Sequence, residues 1–448
     1  VGYSVTYGAA NLPTRLDVNG GGTYRWTYDG AGHTTSGTDP AGATETVSRT
    51  ASGLPLVITD RKGQRVEVRY GPGKRVEQVV YRRADGTIES TVTYSYDPNT
   101  DLLVSIDDTA GPDYSFTYNA LDQLTSITGP EGVTTYQYVS LGRPTAVHVP
   151  GLPAVTYTYD AFGRLASVSQ GAETVSYAYD SAGRLATVTR PNGVVTYYSY
   201  DLLSRISRIE HRYGNTLLEY EAYTRDAGGR ITARERNGVL SSFNYNDLDE
   251  LIGHTIPGQT ASFTYDATGN RISETVDSVV TNYTYGAGDR LAAAGDLQVV
   301  HDANGSIVRY GSAILTWDVR GRLTRIEDGG NVTTFAYDVF NRRVAKTHNG
   351  VTRRYVYLGH DLAVEADANG NVLATYFYEP GIDLPVSRTD ANGTIYYLHD
   401  LAGSITALTR PDGSLIGRYH YTPWGEVAAD PGMPAQPLLW TARELDET

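Results

Sequence analysis

At 448 residues the chain exceeds the ~250–300 residues at which a single core stops growing, so its length calls for several domains or for a repeat. Forty-eight glycines and 36 tyrosines, against one methionine and seven phenylalanines, favour strands and turns over long helices. The formal charge of -14 with scattered Lys and Arg argues against a nucleic-acid partner, no apolar run reaches the ~18–20 residues of a membrane span, and the absence of cysteine removes disulfides, thiol catalysis and cysteine-based metal sites.

Val1 to Ala10 show no charged stretch followed by an apolar core. The chain opens without an initiator methionine and closes on Glu444-Leu445-Asp446-Glu447-Thr448, which reads as a piece of a longer polypeptide. In chain order, an aromatic marker followed by a turn recurs at Tyr7, Tyr28, a degenerate Arg49, Tyr70, Tyr96, Tyr118, Tyr138, Tyr159, Tyr179 and Tyr200. It continues through a degenerate Arg225, then Tyr245, Tyr265, Tyr285, His301, Trp317, Tyr337, Tyr357, Tyr378, His399 and Tyr421. The period is about 20 residues, longer before Tyr96 and Arg225 and shorter around His301.

The clearest copies are Tyr159-Asp160-Ala161-Phe162-Gly163-Arg164-Leu165, Tyr179-Asp180-Ser181-Ala182-Gly183-Arg184-Leu185 and Trp317-Asp318-Val319-Arg320-Gly321-Arg322. In each, the Asp is expected to accept backbone N–H bonds, the Gly to supply a left-handed residue, and the Arg to pair with the Asp across the hairpin mouth. Asn341 stands where one such Gly is expected. A second turn signal follows about ten residues later, as at Arg190-Pro191-Asn192-Gly193 and Asp390-Ala391-Asn392-Gly393. Two turns per period leave two strands of roughly six residues, hence an uninterrupted antiparallel meander of roughly forty strands. An aromatic two residues ahead of most markers, such as Tyr157 and Tyr177, shares the marker's face, with Thr, Ser or Ala between them on a wetter one. The spacing of three in Leu165 and Val168, or Leu185 and Val188, breaks that alternation; a bulge or a turn-borne Leu explains it equally well. Open twisted sheets rarely exceed ~10 strands, so the ribbon is expected to curl into a hollow shell or spiral.

These motifs closely resemble the RHS/YD-repeat proteins, across essentially the whole chain. Residues 1–395 read as the repeat array and 396–448 as the opening of an RHS core-associated region. The latter rests on Tyr396-Tyr397-Leu398-His399-Asp400-Leu401-Ala402-Gly403-Ser404, Tyr419-His420-Tyr421-Thr422-Pro423-Trp424-Gly425-Glu426 and Thr441-Ala442-Arg443-Glu444-Leu445-Asp446. The resemblance implies an all-β spiral cocoon. It implies a secreted or bacterial cell-surface setting and a non-catalytic wall that encloses or displays a C-terminal partner, often a toxin, encoded beyond this chain. Self-cleavage and cargo carry over to no residue here. The alternative is an adhesin or carbohydrate-binding wall without cargo, contacting a cell-surface protein or glycan.

Enzyme readings fare worse. His399-Asp400 with Ser404 has the residue types of an acyl-transfer triad, but strand neighbours point to opposite faces and His399 sits at a marker position. The repeated aspartates track the turns rather than a cleft, and Asp97-Pro98-Asn99-Thr100-Asp101 lacks the spacing of a calcium loop. No cofactor is expected. Trp424, between Pro423 and Gly425, is the candidate docking contact.

Overall fold

The computed structural model describes residues 2–8, 10–139, 142–381 and 383–445; Asp446 of the last motif lies outside them. Among the described residues there are 42 strands and two three-residue 3-10 turns, Pro72–Lys74 and Trp440–Ala442. No helix is long and apolar enough to cross a membrane. The fold is an all-β antiparallel meander in which strands adjacent in sequence pair within each unit, as from Val155–Tyr159 through Leu165–Gln170, Glu173–Tyr179 and Leu185–Thr189 to Val194–Tyr200.

The irregular periods are absorbed by strand length. The long interval before Tyr96 is a hairpin of Val76–Arg82 and Ile88–Tyr96, and the one before Arg225 pairs Ile206–Tyr213 with Thr216–Arg225. Around His301 the strands shrink to Arg290–Ala294 and Leu297–His301. The Leu–Val spacing is a bulge: Thr158 opposes Ser167 but Tyr159 opposes Leu165, so Leu165 and Ala166 together face one residue. The same slip recurs at Tyr179, Tyr200 and Trp317. An extra residue in one strand restores the face that the turn would otherwise invert, and adds local twist.

One face of the ribbon carries the core. Tyr157 lies opposite Val168 and Tyr177 opposite Val188, and Val168, Val175 and Val188 are fully buried. The opposite face is joined by hydroxyl pairs such as Thr158 with Ser167 at 2.6 Å and Thr264 with Ser273 at 2.5 Å.

The chain forms two compact units, Val1–Phe116 with Ala261–Val351, and Thr117–Thr260 with Thr352–Thr448. Each is built from two passes of the meander. In the first, Val79, Val92, Ile106 and Tyr114 from the earlier pass and Val299 and Phe335 from the later one are buried. In the second, one cluster joins Val155, Val168, Val175 and Val188 to Phe377, Val386 and Tyr396, and another gathers Tyr355, Tyr376, Tyr397, Leu408 and Tyr419 with Leu438, Leu439 and Ala442.

Candidate functional site

The repeated turn is the smallest structural device. Asp160 N–H donates to the Arg164 carbonyl at 2.8 Å and Gly163 N–H to the Asp160 carbonyl at 2.9 Å. One Asp160 carboxylate oxygen accepts the N–H groups of Phe162 and Arg164, both at 2.9 Å, while the other accepts Arg164 Nε at 2.7 Å. Asp180 with Arg184 and Asp318 with Arg322 repeat this, each Nε within 2.8 Å. Gly163, Gly183 and Gly321 have φ of 78°, 82° and 76°, and Asn341 has 62°. At Asp180 the Arg184 backbone N–H, outweighing desolvation and aided by the guanidinium, holds the carboxyl below its ordinary range.

The marker side chain then ties one hairpin to its predecessor. Tyr179 Oη donates to the Leu165 carbonyl at 2.8 Å, Tyr200 to Leu185 at 2.7 Å and Tyr159 to Pro144 at 2.8 Å. Trp317 and the degenerate markers make the bond with other donors: Trp317 Nε1 reaches the Ile307 carbonyl at 2.7 Å, Arg225 the Ile206 carbonyl at 2.7 Å, and Arg49 the Thr34 carbonyl at 3.4 Å. The turn arginine completes the clasp by stacking on the next marker. Arg164 lies 4.2 Å from the Tyr179 ring centroid and Arg184 4.3 Å from that of Tyr200. A bond of this kind contributes about 0.5–1.5 kcal/mol and a partly exposed cation over a ring about 0.5–1 kcal/mol. Repetition makes them a continuous fastening. The sequence signal for this role was the identity of the substitutes, since Trp and Arg are long side chains that still carry a donor.

A second set of polar contacts joins the two passes within each unit. In the first, Asp39 pairs with Arg290 at 2.7 Å, Lys62 with Asp302 at 2.8 Å, and Asn304 donates to Asp60 at 2.6 Å. Arg320, stacked 4.4 Å from the Tyr81 ring, pairs with Asp108 at 2.8 Å, the two side chains being 6% and 1% exposed. In the second, Glu173 accepts Ser387 Oγ at 2.5 Å and Tyr396 Oη at 2.7 Å, and Arg190 Nε donates to the Tyr397 carbonyl at 2.9 Å. Arg236 pairs with buried Glu219 and donates to the Tyr419 and Thr406 carbonyls at 2.6 and 2.8 Å. The partners from different passes lie 170 to 251 residues apart in sequence, so nothing local announces them. Buried charge is tolerated because each ion is paired and further hydrogen bonded.

The triad-like residues are occupied in the wall. His399 is buried, and Asp400 accepts the Ala402 and Ser404 N–H groups at 2.8 Å. Ser404 Oγ accepts Thr441 N–H at 3.1 Å. Burial, reinforced by Glu221, pushes Asp400 up to about 6, and burial pushes neighbouring His211 down to about 3, leaving it neutral. In the calcium-like stretch, Asp97 caps its own turn through the Asn99 and Thr100 N–H groups. No group of three or more acidic or histidine side chains arranged for a metal ion occurs among the described residues. Trp424 is 45% exposed, at the tip of a turn closed by Thr422 N–H to the Glu426 carbonyl.

A model of the family described as Teneurin YD-shell matches residues 131–217 and 199–440. A tRNA3(Ser)-specific nuclease WapA of Bacillus spizizenii is 30% identical over 142 residues, 31% of this chain and 6% of that protein. Teneurin-3 of Mus musculus is 24% identical over 160 residues, 34% of this chain and 6% of that protein. Among solved structures, the Photorhabdus luminescens Tc holotoxin pore aligns with a TM-score of 0.81 and 17% identity over 95% of this chain and 26% of that one. The TcdB2-TccC3 crystal structure aligns with 0.79 and 17% over 99% and 29%. The chain therefore spans a small part of each relative, and the structural likeness concerns fold.

Proposed function

This chain belongs to the teneurin YD-shell family, and from that premise we propose that it is a non-catalytic wall segment enclosing or displaying a partner polypeptide encoded beyond it. Residues 1–395 are read as the repeat array and 396–448 as the opening of the core-associated region, in a secreted or cell-surface protein. The observation that carries the proposal is the double fastening. Clasps join successive hairpins within each unit, and buried polar seams hold two passes of each unit together. A wall so fastened suits containment, whereas an enzyme needs free, convergent groups, and the residues of triad type here are spent on turns and packing. The marker tyrosines likewise spend their hydroxyls on backbone carbonyls, which disfavours the rings as a sugar-binding row.

The test is protease protection. The polypeptide encoded after Thr448 is expressed in continuity with this chain and, separately, alone. Containment predicts fragments of the follower that survive digestion only when joined to the wall. Equal digestion of both, or saturable binding of the wall alone to a glycan array, refutes containment, the latter in favour of an adhesive wall.

A further inference from the structure

We propose that a tyrosine-lined cavity in the second unit binds the substituted ammonium head of an organic cation. The cavity, about 310 Å³ in volume, is lined by Tyr136, Tyr157, Tyr376 and Tyr378 together with Asp361 and Glu379. It lies where the strands Gly132–Tyr138 and Val155–Tyr159 of one pass meet Asp361–Asp367 and Val372–Tyr378 of the other. The cavity opens partly to solvent and has room for a group much larger than one water molecule, which needs only ~10–15 Å³.

Its chemistry is one-sided. Among the described residues that line it there is no Lys, Arg or His, and the remaining walls are mostly aliphatic. Glu379 already faces Arg190 at 3.8 Å. Among the described residues Asp361 has no cationic partner: it accepts the Asp383 backbone N–H, and the charge acting on it is the Asp383 carboxylate, itself paired with Arg443 at 2.8 Å. The Tyr376 and Tyr378 rings are tilted by 39° with centroids 6.4 Å apart; Arg388 engages Tyr376 through Nε to Oη at 3.2 Å with its guanidinium 5.9 Å from the ring centroid, so Tyr136, Tyr157 and Tyr378 are the rings left to meet a ligand. Several aromatic side chains around a carboxylate that has no cationic partner among the described residues match a cation with apolar substituents, which draws on the ring quadrupoles and the anion together. A sugar, by contrast, finds few free polar partners here.

Burial and Asp383 push the Asp361 carboxyl up to about 6, against the Asp383 backbone N–H. Around it stand Asp383, with Arg443 behind it, Glu379, with Arg190 behind it, and the phenols of Tyr136, Tyr157, Tyr376 and Tyr378. A bound cation favours ionised Asp361, so affinity should fall as pH drops below about 6.

The experiment titrates the intact 448-residue chain with choline, with its uncharged isostere 3,3-dimethylbutan-1-ol, and with a peptide bearing trimethyl-lysine, using calorimetry at pH 7.5. Choline or the peptide should saturate one site, with the isostere weaker by about tenfold or more. The peptide binding more tightly assigns the cation to a polypeptide side chain, and choline binding more tightly assigns it to a small molecule. Asp361→Asn should lose about tenfold and Tyr157→Leu about fivefold, each checked for native circular dichroism. The proposal is overturned by equal binding of choline and the isostere, by the absence of saturable binding of either cation, or by unchanged affinity in folded Asp361→Asn.

Discussion

Replacing Tyr179 by a graded series of side chains isolates what the marker position supplies. Its hydroxyl donates to the Leu165 carbonyl at 2.8 Å and its ring lies 4.2 Å from the Arg164 guanidinium. Tyr179 is only half buried and the Arg164 side chain is 32% exposed, so solvent takes part of each interaction. The lower part of each range then applies, about 0.5–1 kcal/mol for the hydrogen bond and a similar amount for the cation over the ring. Tyr179→Phe should lose about 0.5–1 kcal/mol, and Tyr179→Leu about 1–2 kcal/mol by forfeiting both. Tyr179→Arg is the decisive variant. Arg225 and Arg49 fill this position elsewhere and donate to the equivalent carbonyl, so arginine should cost less than leucine despite its charge. Native-state hydrogen exchange on peptides spanning residues 157–200 is the assay, because repeat arrays pass such losses mainly to adjoining units. If phenylalanine matches the wild type and leucine outperforms arginine, the position reads hydrophobicity and the clasp is wrong.

At the turns, Gly183 has φ of 82° with its nearest neighbour 3.8 Å from an added Cβ, so Gly183→Asn should be mild and Gly183→Val should cost ~1–2 kcal/mol or more. At Gly163 an added Cβ meets the Arg143 guanidinium, which donates to the Gly163 carbonyl at 2.7 Å, so even asparagine should lower the melting temperature there; equal tolerance at both glycines opposes this account. Arg320→Ala strands the buried Asp108 carboxylate and should cost about 3–5 kcal/mol in urea unfolding, with part recovered in Arg320→Met/Asp108→Asn. A double variant no better than the single would remove the charge argument. Asp400→Asn should stabilise the protein at pH 8. Burial and Glu221 raise the folded carboxyl to about 6, so its ionised form costs stability above that value, by up to about 3 kcal/mol. The cost vanishes as pH falls through about 6 toward the unfolded value, so the variant's advantage should shrink by pH 5, and a pH-independent difference would contradict the shift.

Much of the fold was legible because hairpin turns are written in adjacent residues. Tyr159-Asp160 with Gly163-Arg164 shows where a strand ends, why a left-handed residue follows and which side chains pair, and repetition of that phrase sets the strand number. The bulge at Leu165 and Ala166 stood on the edge of legibility: spacing showed that alternation failed, and only the register shows how. The clasp was half visible. The aromatic marker was plain, but its hydroxyl's acceptor is a carbonyl, and carbonyls leave no mark in a sequence. The seams were hidden altogether. Arg190 and Arg236 look like any surface arginine until the second pass brings Tyr397, Thr406 and Tyr419 to them. Tyr157 and Tyr376 belong to visibly similar repeats, yet that they line one cavity depends on folding across more than two hundred positions.

Tandem arrays commonly gain and lose copies, because a unit that touches only its neighbours can be duplicated or dropped without consulting the rest. The seams withdraw that freedom. Arg190 meets Tyr397 and Asn192 meets Thr409 across separations of 207 and 217 residues. Excising one hairpin between them would leave every clasp intact while offering each seam residue the wrong neighbour. Copy number in the stretch between seam partners is therefore heritable information held by the tertiary structure, and indels should survive there only in pairs that restore the count.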